Sequence, residues 1–345
     1  MSRRTRSTAP RALLIAVALL ALFGFSMSRA SVAIAQEASP VAGECDAPAL
    51  PPGSPTPMDE ASPVAEHDMS AMEGAASPVA EAAAPEGTPA DEATTDAATA
   101  AVMNIVNCLN GGNYEATVAL FTTNGLMSIF GTDNPYDVLA GGFLEGTVFT
   151  DVQISDVETY ADGRISAQVD YFQSRYQAVS ETWWLVEEEG YWKLDGFETL
   201  TPAPEGDTAV VGVTMGGPDD EYAFIPNVSS IVQPEVLMLH GINAGVEPHE
   251  IVVFRFPEDV TTETVIAAIE AEDESIFETG EFIGASFFEP GQQGDMALVG
   301  LEPGVYTLVC FIPAPDGVPH AVKGMVTQIT ITAPEPVEPV ASPAA

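Results

Sequence analysis

VYTLVCFIPAPDGVPHAVKGM, residues 305–325, joins an apolar β-branched run to a loop rich in Pro and Gly. VYTLV reads as a strand, and the punctuation after it reads as a long ordered turn. Three residues of metal-ligating type leave on that loop: Cys310 at the strand end, His320 after nine further residues, and Met325 after four more. A second imidazole, His249, stands upstream at the entry to the apolar run HEIVVFRF.

Strand-like runs surround this loop. TAVVGVTM, YAFIPNVSSI, EVLMLHGINAG, HEIVVFRF and MVTQITIT alternate apolar and polar residues and are separated by turn formers. TTETVIAAIEAE interrupts them with the Ala and Ile spacing of a helix. Asp259 or Thr261 would cap it, although neither completes a capping box with the residue three positions on. Many short strands with one helical insertion predict a β-sandwich over 207–333, followed by a disordered tail over 334–345.

Two imidazoles, a thiolate and a weak thioether form the donor set of a type 1 copper centre, because soft sulfur stabilises Cu(I) while imidazole still binds Cu(II). Taken singly, a strand Cys is ordinarily a small buried hydrophobe, a Met near a turn is core, and a His beside a Pro is merely exposed. Jointly, four matching types in this order, three of them on one loop, point to copper. The remaining His240, on LMLHG and without an evident partner, reads as a half-buried structural residue.

This part resembles the cupredoxin (plastocyanin-like) family, through NAGVEPH at Asn243–His249 and the terminal YTLVC loop with its His and Met. The resemblance implies an all-β Greek-key sandwich holding one type 1 copper on His249, Cys310, His320 and Met325. The spacing from Cys310 to His320 exceeds that of plastocyanins and is closer to the type 1 loop of copper nitrite reductases. Glu250 departs from the family, where many members carry an Asn that organises the thiolate loop.

Upstream, TTDAATAAVMNIVNCLNGGNYEATVALF carries helical spacing at Val102, Ile105, Val106 and Leu109, stops at Gly111-Gly112 and resumes through Val118 and Leu120. Alternating strands with turns at ADG and EEG follow, up to the TPAPEGD boundary. Helices followed by a curved antiparallel meander predict an α+β cone over one apolar interior. Residues 96–202 resemble the NTF2-like (SnoaL-like) family in NYEATVALFT and in ETWWLVEEEGYWKLDGFE. That resemblance implies a cone able to take a small apolar ligand. Family enzymes generally use an Asp or His inside it, and this segment has no histidine. Asp170 and Tyr171 lie on a strand of the cone, where a solvated carboxylate is the plainer reading.

Residues 1–35 carry Arg3, Arg4, Arg6 and Arg11, then LLIAVALLALFGF, then small residues, which is the pattern of a cleaved export signal. An uncleaved anchor is the alternative, although the apolar run is short for a membrane span. The protein is thus expected to be secreted, or to sit in the periplasm or cell-envelope exterior. Residues 36–95, Ala-, Pro- and Glu-rich with ASPVA recurring, predict a disordered linker, in which the His and Met of HDMSAME read as scattered residues. Cys45 and Cys108 can pair and leave Cys310 free; a Cys108 buried in its helix beside a free Cys45 is the other reading.

The formal charge is −41, and residues 1–35 hold five of the ten basic residues and none of the 51 acidic ones, so their removal leaves −46. Such a surface repels nucleic acid and anionic lipid and favours a basic redox partner. Four histidines in the whole chain are too few for the further copper centre of an oxidase or nitrite reductase. The sequence therefore predicts a multidomain exported protein that is an electron carrier rather than an enzyme. The alternative is a non-redox copper-carrying or ligand-binding protein.

Overall fold

A computed structural model describes residues 45–55, 87–142, 144–217, 220–273 and 275–335. The expected export signal, the centre of the expected linker with HDMSAME and the tail from 336 lie outside the described residues.

After a two-residue strand β1 (Thr88–Pro89), helix α1 runs over Glu92–Asn110. It begins earlier than the sequence suggests because the Asp91 carboxylate accepts from Thr94 N–H at 2.8 Å and satisfies an otherwise orphaned donor. Its apolar stripe, Ala98, Val102, Ile105, Val106 and Leu109, is buried. Three short helices follow, α2 (Tyr114–Ala119), α3 (Thr123–Phe130) and α4 (Pro135–Ala140). They pack with α1 against the antiparallel strands β2 (Phe149–Thr159), β3 (Ile165–Gln173), β4 (Gln177–Glu188) and β5 (Tyr191–Leu200).

Part of the segment expected to be linker is ordered. Cys45 is disulfide-bonded to Cys108 of α1, Asp46 and Asn104 exchange two hydrogen bonds, and Tyr136 donates to the Pro51 carbonyl at 2.7 Å. A cross-link to a buried helix residue gives residues 45–55 the anchor their composition does not show. The disulfide is consistent with an oxidising compartment.

The second half has two facing sheets. One contains β6 (Thr208–Met215), β7 (Phe224–Pro226), β9 (Val236–Asn243) and β12 (Gln293–Val299); the other contains β8 (Ser230–Val232), β10 (His249–Arg255), β11 (Glu281–Phe288), β13 (Gly304–Val309) and β14 (Val326–Thr332). Val211, Leu239, Ile251, Ile283, Leu298 and Leu308 are fully buried between them. The predicted helical insertion is α5 (Thr262–Glu270), and Thr261 caps it by accepting from Thr264 N–H. A five-residue helix α6 (Ser275–Thr279) follows.

The halves are stitched together. Strand β12 pairs with β4 through Ala297↔Ala178 and Leu298↔Gln177, so one sheet runs through both. Tyr176, between β3 and β4, enters the core of the second half and donates to Glu281 at 2.7 Å. The Gln177 amide donates to Ala285 O at 3.0 Å and accepts from Ala285 N–H at 2.9 Å. No helix among the described residues is long and apolar enough to cross a membrane.

Candidate metal centre

Strands β13 and β14 pair antiparallel up to Val309↔Val326, which pins both ends of the loop between them. Cys310 N–H then donates to Met325 O at 3.2 Å, and Met325 N–H returns to His320 O at 3.0 Å. Ala321 N–H donates to Cys310 O at 2.8 Å and His320 N–H to Ile312 O at 2.9 Å. These bonds fold the loop back over its own strand and turn His320 toward the thiol. Strand β10 pairs with β13 at Val252↔Val309, so the same register brings the start of β10 alongside the loop.

Three of the four predicted ligands come together. His249 Nδ1 lies 3.1 Å from His320 Nδ1, and Cys310 Sγ lies 3.4 Å from the same nitrogen. All three side chains are fully buried, and their donor atoms lie within 4.8 Å of one another. Ligands bound at roughly 2.0–2.3 Å about a trigonal ion stand about 3.5 Å apart, so the spacing fits a small soft cation. Met325 is fully buried and shares the apolar cluster of Cys310.

The electrostatics suit a metal better than a proton. Burial, with the neighbouring His320 second, pushes the His249 pKa down to about 4, and burial lowers that of His320. Both rings are therefore neutral and offer lone pairs. Burial also pushes the Cys310 thiol up, so a cation must displace its proton.

Carboxylates the sequence did not single out surround the rings. Glu247 Oε2 lies 3.1 Å from His320 Nε2, and Tyr222 packs on that ring at 4.9 Å between centroids while donating to Glu247 Oε1 at 3.1 Å. Glu221 Oε1 stands 3.3 Å from His249 Nε2 but accepts instead from Val246 and Glu247 N–H, both at 2.8 Å, so that ring nitrogen is buried without a hydrogen bond. A Cβ on Gly216 or Gly245 would come within 2.9 Å of the same nitrogen, and Gly216 has φ +63°. The position of Glu247, two residues before His249, was the only signal available; nothing in the sequence marks Glu221.

Glu250 takes over a role that the family resemblance gives to an Asn. Its Oε1 accepts from Phe311 N–H at 2.8 Å, tying β10 to the residue after the thiol. Burial pushes its pKa up to about 8.

The two histidines that read as plain structural residues when taken singly are both partnered. His320 is not exposed beside its Pro but fully buried, because Glu247 and Tyr222 close over it. His240 does have a partner, Asp295, directly opposite on β12 and 2.7 Å away.

No family model matches the chain. Over 126 residues it is 32% identical to the chloroplastic plastocyanin major isoform of Arabidopsis thaliana, a match covering 36% of this chain and 62% of the plastocyanin, less than two thirds of that relative's length. Among solved structures, auracyanin B aligns at 20% identity and TM-score 0.27, over 38% of this chain and 94% of its own. A dithionite-reduced auracyanin from Roseiflexus castenholzii aligns at 19% identity and TM-score 0.24, over 38% and 99%. A blue copper oxidase from Nitrosomonas europaea aligns at 14% identity and TM-score 0.21, over 48% and 59%. The sequence likeness to a plastocyanin supports a cupredoxin domain over part of this chain.

Proposed function

We propose that this chain is an exported type 1 copper protein that passes single electrons, in which His249, Cys310, His320 and Met325 would hold the copper. The observation that carries this reading is the convergence of two neutral imidazole nitrogens and a thiol sulfur within 4.8 Å in a site closed to water. Bound copper would supply a one-electron couple between Cu(I) and Cu(II).

The protein's own part is to hold the donors still. Backbone hydrogen bonds at both ends of the 310–325 loop and the Glu250 bond to Phe311 fix the thiol. Glu247 and Tyr222 fix one imidazole, and tight backbone at Gly216 and Gly245 walls the other. A site that cannot relax between oxidation states needs little reorganisation, which favours fast transfer. With the His320 edge covered, a partner meets the site over Tyr222 and Glu247, and the net acidity of the chain favours a basic one. Within the same reading, residues 96–202 form an NTF2-like binding module, and residues 1–35 direct export.

A redox titration of the copper-loaded protein tests the reading. A reversible one-electron couple without net oxygen consumption is expected. Copper that binds but cannot be cycled would favour a copper-carrying role, and catalytic oxygen consumption would make the chain an oxidase; either result overturns electron carriage.

A further inference from the structure

Both imidazoles of the donor cluster turn their outer nitrogens toward a carboxylate. Nδ1 of His249 and Nδ1 of His320 face each other, and the Cys310 sulfur lies beside the latter, so these are the nitrogens that would take the ion. A neutral imidazole metallated at Nδ1 carries its proton at Nε2. His320 Nε2 lies 3.1 Å from Glu247 Oε2, and His249 Nε2 lies 3.3 Å from Glu221 Oε1 without a hydrogen bond of its own.

Each acid is held where it stands. Tyr222 O–H donates to Glu247 Oε1 at 3.1 Å, and Val246 and Glu247 N–H both donate to Glu221 Oε1 at 2.8 Å. The two carboxylate side chains are 21% and 19% exposed, so solvent screens them only in part. Lys323 brings a cation 4.9 Å over the Tyr222 ring, but its ammonium is bonded to Asp316 at 2.6 Å, which offsets that charge.

A carboxylate behind a ligating imidazole makes the ring a stronger donor and fixes negative charge close to the ion. Reduction removes one positive charge from the centre, so fixed negative charge favours the oxidised ion. On the copper reading above, we propose that Glu247 and Glu221 are positioning residues that bias the bound ion toward Cu(II). Glu247 acts through its hydrogen bond to His320, and Glu221 through its charge beside His249. The centre then has a lower potential than its four donors alone would give, and it takes an electron only from a strongly reducing partner.

Midpoint potentials of the copper-loaded full chain, of Glu247→Gln and of Glu221→Gln, at one pH and one ionic strength, test this. Glutamine keeps an oxygen acceptor for the neighbouring donors and removes the charge. Each variant is expected to favour Cu(I) by about tenfold, a rise of about 59 mV for a one-electron couple, with the visible band unmoved. Glu247→Asp keeps the charge and should stay near the parent, as should Glu263→Gln, an exposed acid on α5. Affinities for Cu(I) and Cu(II) from chelator competition give the same ratio without cycling the metal. Copper that binds but does not cycle would end the electron-carrier reading, while a tenfold shift in the affinity ratio would still uphold the role of the carboxylates. Unchanged or lowered potentials and ratios in both folded Gln variants would overturn the proposal. A chain that takes up neither ion would overturn it together with the copper reading.

Discussion

Two buried carboxyls carry much of the chemistry of this protein, and they do it in different ways. Glu250 is structural toward the thiol: removing its acceptor leaves Phe311 N–H buried and unpaired. Glu250→Ala is expected to cost about 1–3 kcal/mol in denaturant unfolding, while Glu250→Gln should cost much less. Glu181, on β4 and 3% exposed, accepts from Trp183 and Tyr171 and couples stability to pH, as the raised pKa of Glu250 also does. Its folded pKa, about 7, lies above the ordinary value of 4.5, so the native state holds a proton that the unfolded chain has released. That contribution is intact below about pH 4.5 and is lost as pH rises through 7, reaching about 3 kcal/mol. Urea midpoints of the parent and Glu181→Gln should therefore diverge between acidic and alkaline pH, with the variant gaining as pH rises. Parallel profiles would contradict the buried-acid description.

The β3–β4 hairpin shows what a strand pattern hides. Its alternation is plain in the sequence, but its tip does what no local pattern announces: Tyr176 enters the opposite core, and Gln177 bridges to β11. Tyr176→Ala is expected to cost about 3–5 kcal/mol and, in calorimetry, to turn one transition into two as the halves uncouple. A single transition at the parent temperature would show that the tip contributes little. The ligand loop was legible because donor chemistry and order coincide on one short stretch. By contrast, nothing in the sequence marks Glu181, since only the surrounding fold shows that its face turns inward. Glu221 stayed hidden because it approaches His249 from a different connection, far from the ligand motif. The helical start at Glu92 and the ordering of residues 45–55 depend likewise on one cap and one cross-link rather than on composition.

The two halves share a sheet and a net acidic charge, yet the His249, Cys310 and His320 donor cluster found among the described residues lies wholly in the second half. Copper on the His249, Cys310 and His320 cluster is the claim from which the electron-carrier reading follows. The visible absorption spectrum of the protein after Cu(II) addition, with Cys310→Ser as control, tests it most directly. An intense thiolate-to-copper band at one copper per chain, lost in the control, is expected; a colourless parent protein, or a band that persists in Cys310→Ser, would rule the copper site out.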